Sequence, residues 1–110
     1  MKQYVIDGFR SEDYERIKAY FDEHCGTPSL GSIYWIEIDE ALLNGTQLSH
    51  AGCGPHYFAV ELEEGRLSCE FLVRIKKSVK CDCMAYADQK QREWIMDMMD
   101  AMLEKLHISI

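Results

Sequence analysis

The apolar patterns of this chain predict an α+β fold, with an antiparallel four-stranded sheet (a meander) and two helices packed on one face. Apolar and polar residues alternate over residues 32–39, 56–63 and 66–75, which is the period of a half-buried strand. Apolar residues recur at helical spacing over 11–25 and 89–107. Two helices covering one face of an antiparallel sheet bury all of these patterns together.

The chain begins with a short extended segment and then a helix. Residues 3–9 are predicted to form a strand or an extended arm. Ser11 is a suitable N-cap for the helix, because its hydroxyl can accept a hydrogen bond from a free backbone N–H of the first turn. Ile17 and Phe21 lie on the apolar stripe, and Gly26 ends the helix at a position that favours positive φ.

The sheet is predicted as one strand followed by the meander. The strand at residues 32–39 comes first. A tight turn at Gly65 then joins the next two strands and pairs Leu62 with Leu67, which keeps their apolar residues on one side. Residues 79–87 return as the fourth strand, with alternate residues inward.

The last helix is predicted to follow Asp88, a suitable N-cap residue. A stripe of apolar residues, widened by an aromatic ring, runs along residues 89–107 and faces the sheet. No composition shift or linker interrupts the 110 residues, so the chain is read as a single α+β domain over 1–110.

The composition bounds the function classes. The formal net charge of −7 argues against general nucleic-acid binding, which needs basic surface to replace phosphate counterions. No run of 18 apolar residues predicts a membrane span, and the first residues have no apolar segment typical of secretion. Five cysteines without a framework spacing then indicate reduced thiols, so a cytoplasmic location is expected.

Two short motifs carry residue types that bind metals. The stretch HAGCGPH places His50, Cys53 and His56 in one loop, and CDC places Cys81 and Cys83 close together. Zinc takes four nitrogen or sulfur ligands, so these five residues are candidate ligands of a zinc site.

Other observations favour a structural role for the same residues. The two spacings match no common zinc pattern. The predicted register sets His56, Val73 and Cys81 in one row, so the backbones of His56 and Cys81 are two strand spacings, about 9–10 Å, apart. Cysteine also packs well as a small buried residue, so Cys81 and Cys83 can simply belong to the core.

Catalysis has little support in the sequence. Cys53 is the best candidate for a reactive thiol, because a neighbouring histidine would lower its pKa. No third orienting group, cofactor fingerprint or acid–base pair accompanies it. The glycine-containing stretch at residues 26–32 follows a helix and lacks the phosphate-binding lysine, which excludes a P-loop. We therefore expect no enzymatic activity and no catalytic residue.

The outer face of the predicted sheet is more apolar than a solvated face should be. A contiguous patch of this kind usually marks an interface, and the simplest partner is a second copy of the chain. The residues proposed for this interface are Trp35, Tyr57, Leu72, Met84 and Tyr86.

One basic cluster stands out in an otherwise acidic chain. It contains Arg74, Lys76, Lys77 and Lys80, which either contact an anionic partner or keep an edge hairpin soluble and unpaired. The predicted register sets Arg74 across from Lys80, an unfavourable pairing of like charges.

The first functional hypothesis is therefore a small cytoplasmic protein-interaction domain, homodimeric through its outer sheet face and without a cofactor. In its order of elements, the chain is similar to small α+β secretion-chaperone-like domains, and this resemblance implies dimerisation and protein binding. The second hypothesis is a small zinc-binding domain that uses the loop of His50, Cys53 and His56 together with Cys81 and Cys83.

Overall fold

The structure, a computed structural model, describes residues 2–28, 31–76 and 81–109. It confirms the α+β class: an antiparallel sheet is packed against helices. The strands are β1 (Gln3–Asp7), β2 (Ile33–Glu37), β3 (His56–Glu63), β4 (Arg66–Glu70) and β5 (Arg74–Ile75). The helices are α1 (Ser11–Cys25), α2 (Gly45–Ser49) and α3 (Gln89–Lys105).

The strand order is β1-β4-β3-β2, and β5 pairs with the start of β3. The N-terminal extended segment therefore joins the sheet as a strand beside β4. The predicted hairpin register is confirmed, because Leu62 pairs with Leu67 and Val60 pairs with Cys69. Gly65 makes the turn between these strands with φ of 85°, a conformation that glycine adopts without steric cost.

The predicted register beyond this hairpin is wrong. His56 lies opposite Ile75, two residues further along the chain than the predicted partner Val73. After β4 the chain bonds instead to the segment before α3, because the backbone N–H of Val73 donates to Ala85. This arrangement interrupts the pairing with β3 until β5 begins.

The predicted fourth strand is also wrong over the part of it that the structure describes, residues 81–87. The backbone N–H of Met84 donates to the carbonyl oxygen of Cys81 over 3.0 Å and closes a turn there. The segment then forms an isolated bridge between Leu72 and Tyr86. A turn that uses the Cys81 carbonyl in this way removes it from any strand ladder.

Both long helices pack on the same side of the sheet, as predicted. Ile17 and Phe21 of α1 and Ile95 of α3 are buried with the central β3 residue Phe58. None of the helices in the described ranges is long and apolar enough to cross a bilayer.

The helix ends agree with the sequence in two places out of three. Asp88 caps α3 and accepts a hydrogen bond from the Gln91 backbone, as predicted. Gly26 follows α1 with φ of 76°. Ser11 is the first helical residue of α1 and not its N-cap, which is Arg10. The carboxylate of Asp13 accepts a hydrogen bond from the Arg10 backbone, and this bond takes the place of the predicted serine cap.

Candidate metal centre

Four of the five predicted metal ligands converge. One nitrogen of His50 and the sulfur atoms of Cys53, Cys81 and Cys83 all lie within 4.8 Å of one another. Cys83 is buried and the other three side chains are half-buried. The cluster joins two loops that are separated by the whole of β3, β4 and β5.

Two consecutive helical turns place the first pair of ligands. Helix α2 begins at the N-cap Asn44, whose side chain accepts a hydrogen bond from the Gln47 backbone. The backbone N–H of His50 then donates to Gln47, and that of Cys53 donates to His50 over 2.9 Å. Because residues three apart on a helical turn point the same way, His50 and Cys53 face the same neighbour.

The turn that replaces the predicted fourth strand places the second pair. The sulfur of Cys81 accepts a hydrogen bond from the backbone N–H of Cys83, two residues further on. A strand would present alternate side chains on one face without bending the backbone around either sulfur. The turn instead wraps the Cys83 amide around the Cys81 sulfur, which suits a thiolate.

The separations are close to those of a tetrahedral zinc site. Zn–S bonds of about 2.3 Å and Zn–N bonds of about 2.0 Å set two sulfur ligands about 3.8 Å apart and a sulfur and a nitrogen about 3.5 Å apart. The sulfur atoms of Cys53 and Cys81 are 3.6 Å apart, and Nδ1 of His50 is 3.0 Å from the Cys81 sulfur. To hold the ion, the distance from the Cys81 sulfur to Nδ1 of His50 would lengthen by about 0.5 Å, and the widest pair of ligand atoms, within 4.8 Å, would close by up to about 1 Å.

The two cysteines of the turn have opposite electrostatic tendencies. Hydrogen bonds from the backbone and the thiol of Cys83 lower the pKa of Cys81. Burial, followed by the hydrogen bond to Cys81, raises the pKa of Cys83 to about 12. The surroundings therefore favour the thiolate of Cys81, and a bound cation would be needed to deprotonate the buried Cys83 near neutral pH.

Two buried glutamines hold the first loop in place. Gln91 of α3 donates to the side-chain oxygen of Gln47 over 2.8 Å and to the carbonyl oxygen of Leu42 over 2.9 Å. Gln47 in turn reaches the carbonyl oxygen of Cys83 at 3.5 Å. The sequence analysis missed this pair, although the Asn44–Gln47 and Asp88–Gln91 spacings both match the capping-box pattern that could have revealed it.

His56, the fifth predicted ligand, does not join the cluster. It is 3% exposed, and its Nε2 atom has no hydrogen-bond partner among the described residues. Burial and the neighbouring His50 lower the pKa of His56, which favours its neutral form. As the first residue of β3, opposite Ile75, it lies in the sheet and not in the loop that carries His50 and Cys53.

The predicted interface residues form two groups on the outer side of the sheet. The rings of Trp35 and Tyr57 meet edge to face with centroids 5.7 Å apart. Leu72 and Tyr86 form the isolated bridge, and Tyr86 is 45% exposed. Met84, the fifth of these residues, is half-buried in the segment that carries the turn.

The two described members of the basic cluster already have partners in the protein. Arg74 forms an ion pair with Glu70, and the ammonium of Lys76 lies 4.7 Å from the centroid of the Tyr57 ring. Lys77 and Lys80 lie outside the described residues, as does the predicted pairing of Arg74 with Lys80. The proposed anion contact therefore stays a prediction.

Comparisons of the chain with family models, with curated proteins and with solved structures find no match.

Proposed function

We propose that this chain is a small zinc-binding domain in which His50, Cys53, Cys81 and Cys83 are the four ligands. The observation that carries the proposal is the convergence of one imidazole and three thiols, from two loops far apart in sequence, within 4.8 Å. Three cysteines and one histidine are a common ligand set of structural zinc sites.

The donor set favours a structural zinc ion over a catalytic one. Four protein ligands complete the tetrahedron, which leaves no open position for water or substrate. Carboxylate-binding metals such as Mg²⁺ and Ca²⁺ take oxygen ligands, which this cluster lacks. This argument agrees with the sequence-based expectation of a non-enzymatic protein, which stays a prediction.

The ion would connect the loop after β2 to the segment between β5 and α3. His50 and Cys81 are 31 residues apart, so the metal would cross-link two segments that are distant in the sequence. Because such a site does not exist in the unfolded chain, part of the metal-binding free energy becomes folding free energy.

Elemental analysis of untagged protein tests the proposal. We expect about one zinc per chain, and we expect Cys81→Ser to reduce that content severalfold because Cys81 contacts the other three ligands. Cys25→Ser is the matched control, since Cys25 is also half-buried but lies outside the cluster. Equal metal content in the two variants would overturn the assignment.

The protein-interaction hypothesis remains a second candidate. The observation that favours it is the incomplete burial of the aromatic residues Trp35, Tyr57 and Tyr86 on the outer side of the sheet. A structural zinc ion and an interaction surface are compatible, because zinc would only stabilise the domain that presents the surface. Trp35→Ala tests it: loss of self-association or partner binding by a variant that still folds is expected, and unchanged binding would contradict it.

A further inference from the structure

We propose that the open edge of β2 pairs with β2 of a second copy, antiparallel and across a two-fold axis at Trp35, so that the two sheets become continuous. Strand β2 is the last strand in the order β1-β4-β3-β2, so one of its sides has no partner strand in the described chain. The inference concerns a different part of the molecule from the metal centre and does not depend on it.

The hydrogen bonds to β3 define which backbone groups face the open edge. The N–H of Ile38 donates to His56 over 2.9 Å, and the carbonyl oxygen of Ser32 accepts from Leu62 over 3.1 Å. Even-numbered residues of this strand therefore bond to β3, and by the antiparallel alternation Ile33, Trp35 and Glu37 direct their N–H and C=O groups outward.

Those outward groups are unpaired within the described chain. No described residue beyond the sheet forms a backbone hydrogen bond with Ile33, Trp35 or Glu37. Two common protections of an edge, a proline or a lysine within the strand, are absent from β2. An exposed edge of this kind is a template for another strand.

A cavity of about 510 Å³ lies along the same edge. Tyr20 and Met98 line it from the helix side, and Trp35 and Lys76 line it from the outer side of the sheet. Because the cavity is lined from both faces of the sheet, it passes around the edge of β2, and no described segment covers that edge. A strand added there would therefore find space for side chains on both of its faces.

The sequence of β2 fits a second copy of itself. A two-fold axis at Trp35 pairs the two Trp35 residues and sets each Ile33 opposite the partner's Glu37. The outward backbone groups of all three residues then form hydrogen bonds with the second copy, and no like charges lie directly opposite. An axis at Glu37 would instead oppose two carboxylates, which is unfavourable. Charge therefore excludes the register centred on Glu37, and the register centred on Trp35 is the one in which all five residues of β2 overlap those of the second copy.

A double-mutant cycle measured by sedimentation equilibrium tests the pairing. Ile33→Lys alone sets a lysine opposite the partner's Glu37, and Glu37→Lys alone sets a lysine opposite the partner's Ile33, so both single variants should dimerise. In the double variant, the lysine at position 33 of each copy lies opposite the lysine at position 37 of the other copy, so two pairs of like charges oppose each other. We expect its dimer dissociation constant to lie about tenfold above the value that the single effects predict.

The cycle separates an intermolecular effect from a defect within one chain. Positions 33 and 37 are four strand residues apart, about 13 Å, so they interact little inside a monomer. Val5→Lys on β1, at the opposite edge of the sheet, is the control and should leave the dimer unchanged. A wild-type chain that stays monomeric up to about 1 mM, an absence of coupling in the cycle, or dissociation by Val5→Lys would each overturn the proposal.

Discussion

Cys81 is the residue on which the candidate metal centre depends most. Its sulfur lies 3.0 Å from Nδ1 of His50 and 3.6 Å from the sulfur of Cys53. It also accepts the backbone and thiol hydrogen bonds of Cys83. A lowered pKa favours the thiolate, which is the form of cysteine that binds a metal, and three further ligands lie beside this sulfur.

The two histidines of the first motif should differ sharply in their contribution. We expect His50→Ala to lose most of the bound zinc, because it leaves three ligands and an open position. His56→Phe should retain about one zinc per chain, because His56 lies outside the cluster and its Nε2 atom has no described partner to lose.

Zinc content and melting temperature, measured on the same samples, distinguish these outcomes. A folded His56→Phe variant without zinc would show that His56 holds the ion, and the ligand set would then have to be revised. The sequence alone could not separate the two histidines, because both flank Cys53 at the same spacing. The separation arises where the loop ends and β3 begins, at His56.

The short helix α2 and the long helix α3 are connected by side chains that also cap them. The side-chain oxygens of Gln47 and Gln91 each accept a backbone N–H at the start of their own helix. Their amide groups then bond to each other and to nearby backbone oxygens. This buried network fixes the loop that carries His50 and Cys53 against α3.

Gln91→Leu should destabilise the fold by about 1–3 kcal/mol, because it leaves the carbonyl oxygen of Leu42 and the side-chain oxygen of Gln47 without this donor. Urea denaturation measures the loss. Gln89→Leu is the control: this position is exposed, two residues earlier on the same helix, and the substitution should change stability little.

The same substitution should weaken zinc binding, since Gln47 would hold the metal-binding loop less firmly. A competitive titration with a chromogenic chelator measures this affinity. Unchanged stability and unchanged affinity in Gln91→Leu would show that the network neither supports the fold nor positions the ligands.

Helix α1 is attached to β2 by a carboxylate that accepts two hydrogen bonds. Tyr34 donates to Asp22 over 2.7 Å, and Lys18 donates to it over 2.8 Å. The bond from Lys18, followed by that from Tyr34, lowers the pKa of Asp22 from its ordinary value of 3.8.

This attachment should contribute to stability only while Asp22 is ionised. A lowered pKa in the folded state gives a contribution that is complete above the unfolded value of 3.8 and is lost as the pH falls through the lower folded value. Asp22→Asn should therefore be less stable than the wild type at neutral pH and lose less stability on acidification. Urea midpoints between about pH 2 and pH 6 measure the difference. Parallel pH profiles for the two proteins would contradict this account.

Sequence patterns predicted the elements whose apolar period is long and uninterrupted. The stripe of α1, the stripe of α3 and the β3–β4 hairpin all form as expected. The prediction failed over residues 71–73, where the pairing with β3 is interrupted, and over residues 81–87, where alternating residues indicate a strand but the chain forms a turn and an isolated bridge. Cys81 fits the alternation of a strand, yet its carbonyl oxygen accepts a hydrogen bond from the Met84 backbone and closes a turn. The alternation of apolar and polar residues carries no information about such a bond.

That local failure explains why the sequence underestimated the metal centre. A strand through Cys81 and Cys83 would have kept both sulfur atoms two strands away from the first motif. The turn instead moves the Cys81 sulfur next to His50 and Cys53. The residue types of the site were therefore recognisable from the sequence, but their convergence depended on a non-local contact that periodicity does not encode.

The molecule as a whole is a sheet with a candidate metal-binding corner and an open edge at β2. The corner joins the loop after β2 to the segment before α3. The open edge is the side of β2 that faces away from β3 in the plane of the sheet. Both features use loops and strands held by the same core, in which Phe58 and Ile95 are completely buried. Zinc loss should therefore reduce the stability of the whole domain and not only order in the two loops.

Elemental analysis of untagged protein before and after chelation, with thermal unfolding followed on the same samples, tests the candidate metal centre directly. We expect about one zinc per chain, which the chelator removes together with a large fall in melting temperature, and we expect both to be restored when zinc is added back. Protein that contains no metal, binds none when zinc is supplied and melts at the same temperature with and without chelator would contradict the proposed zinc site.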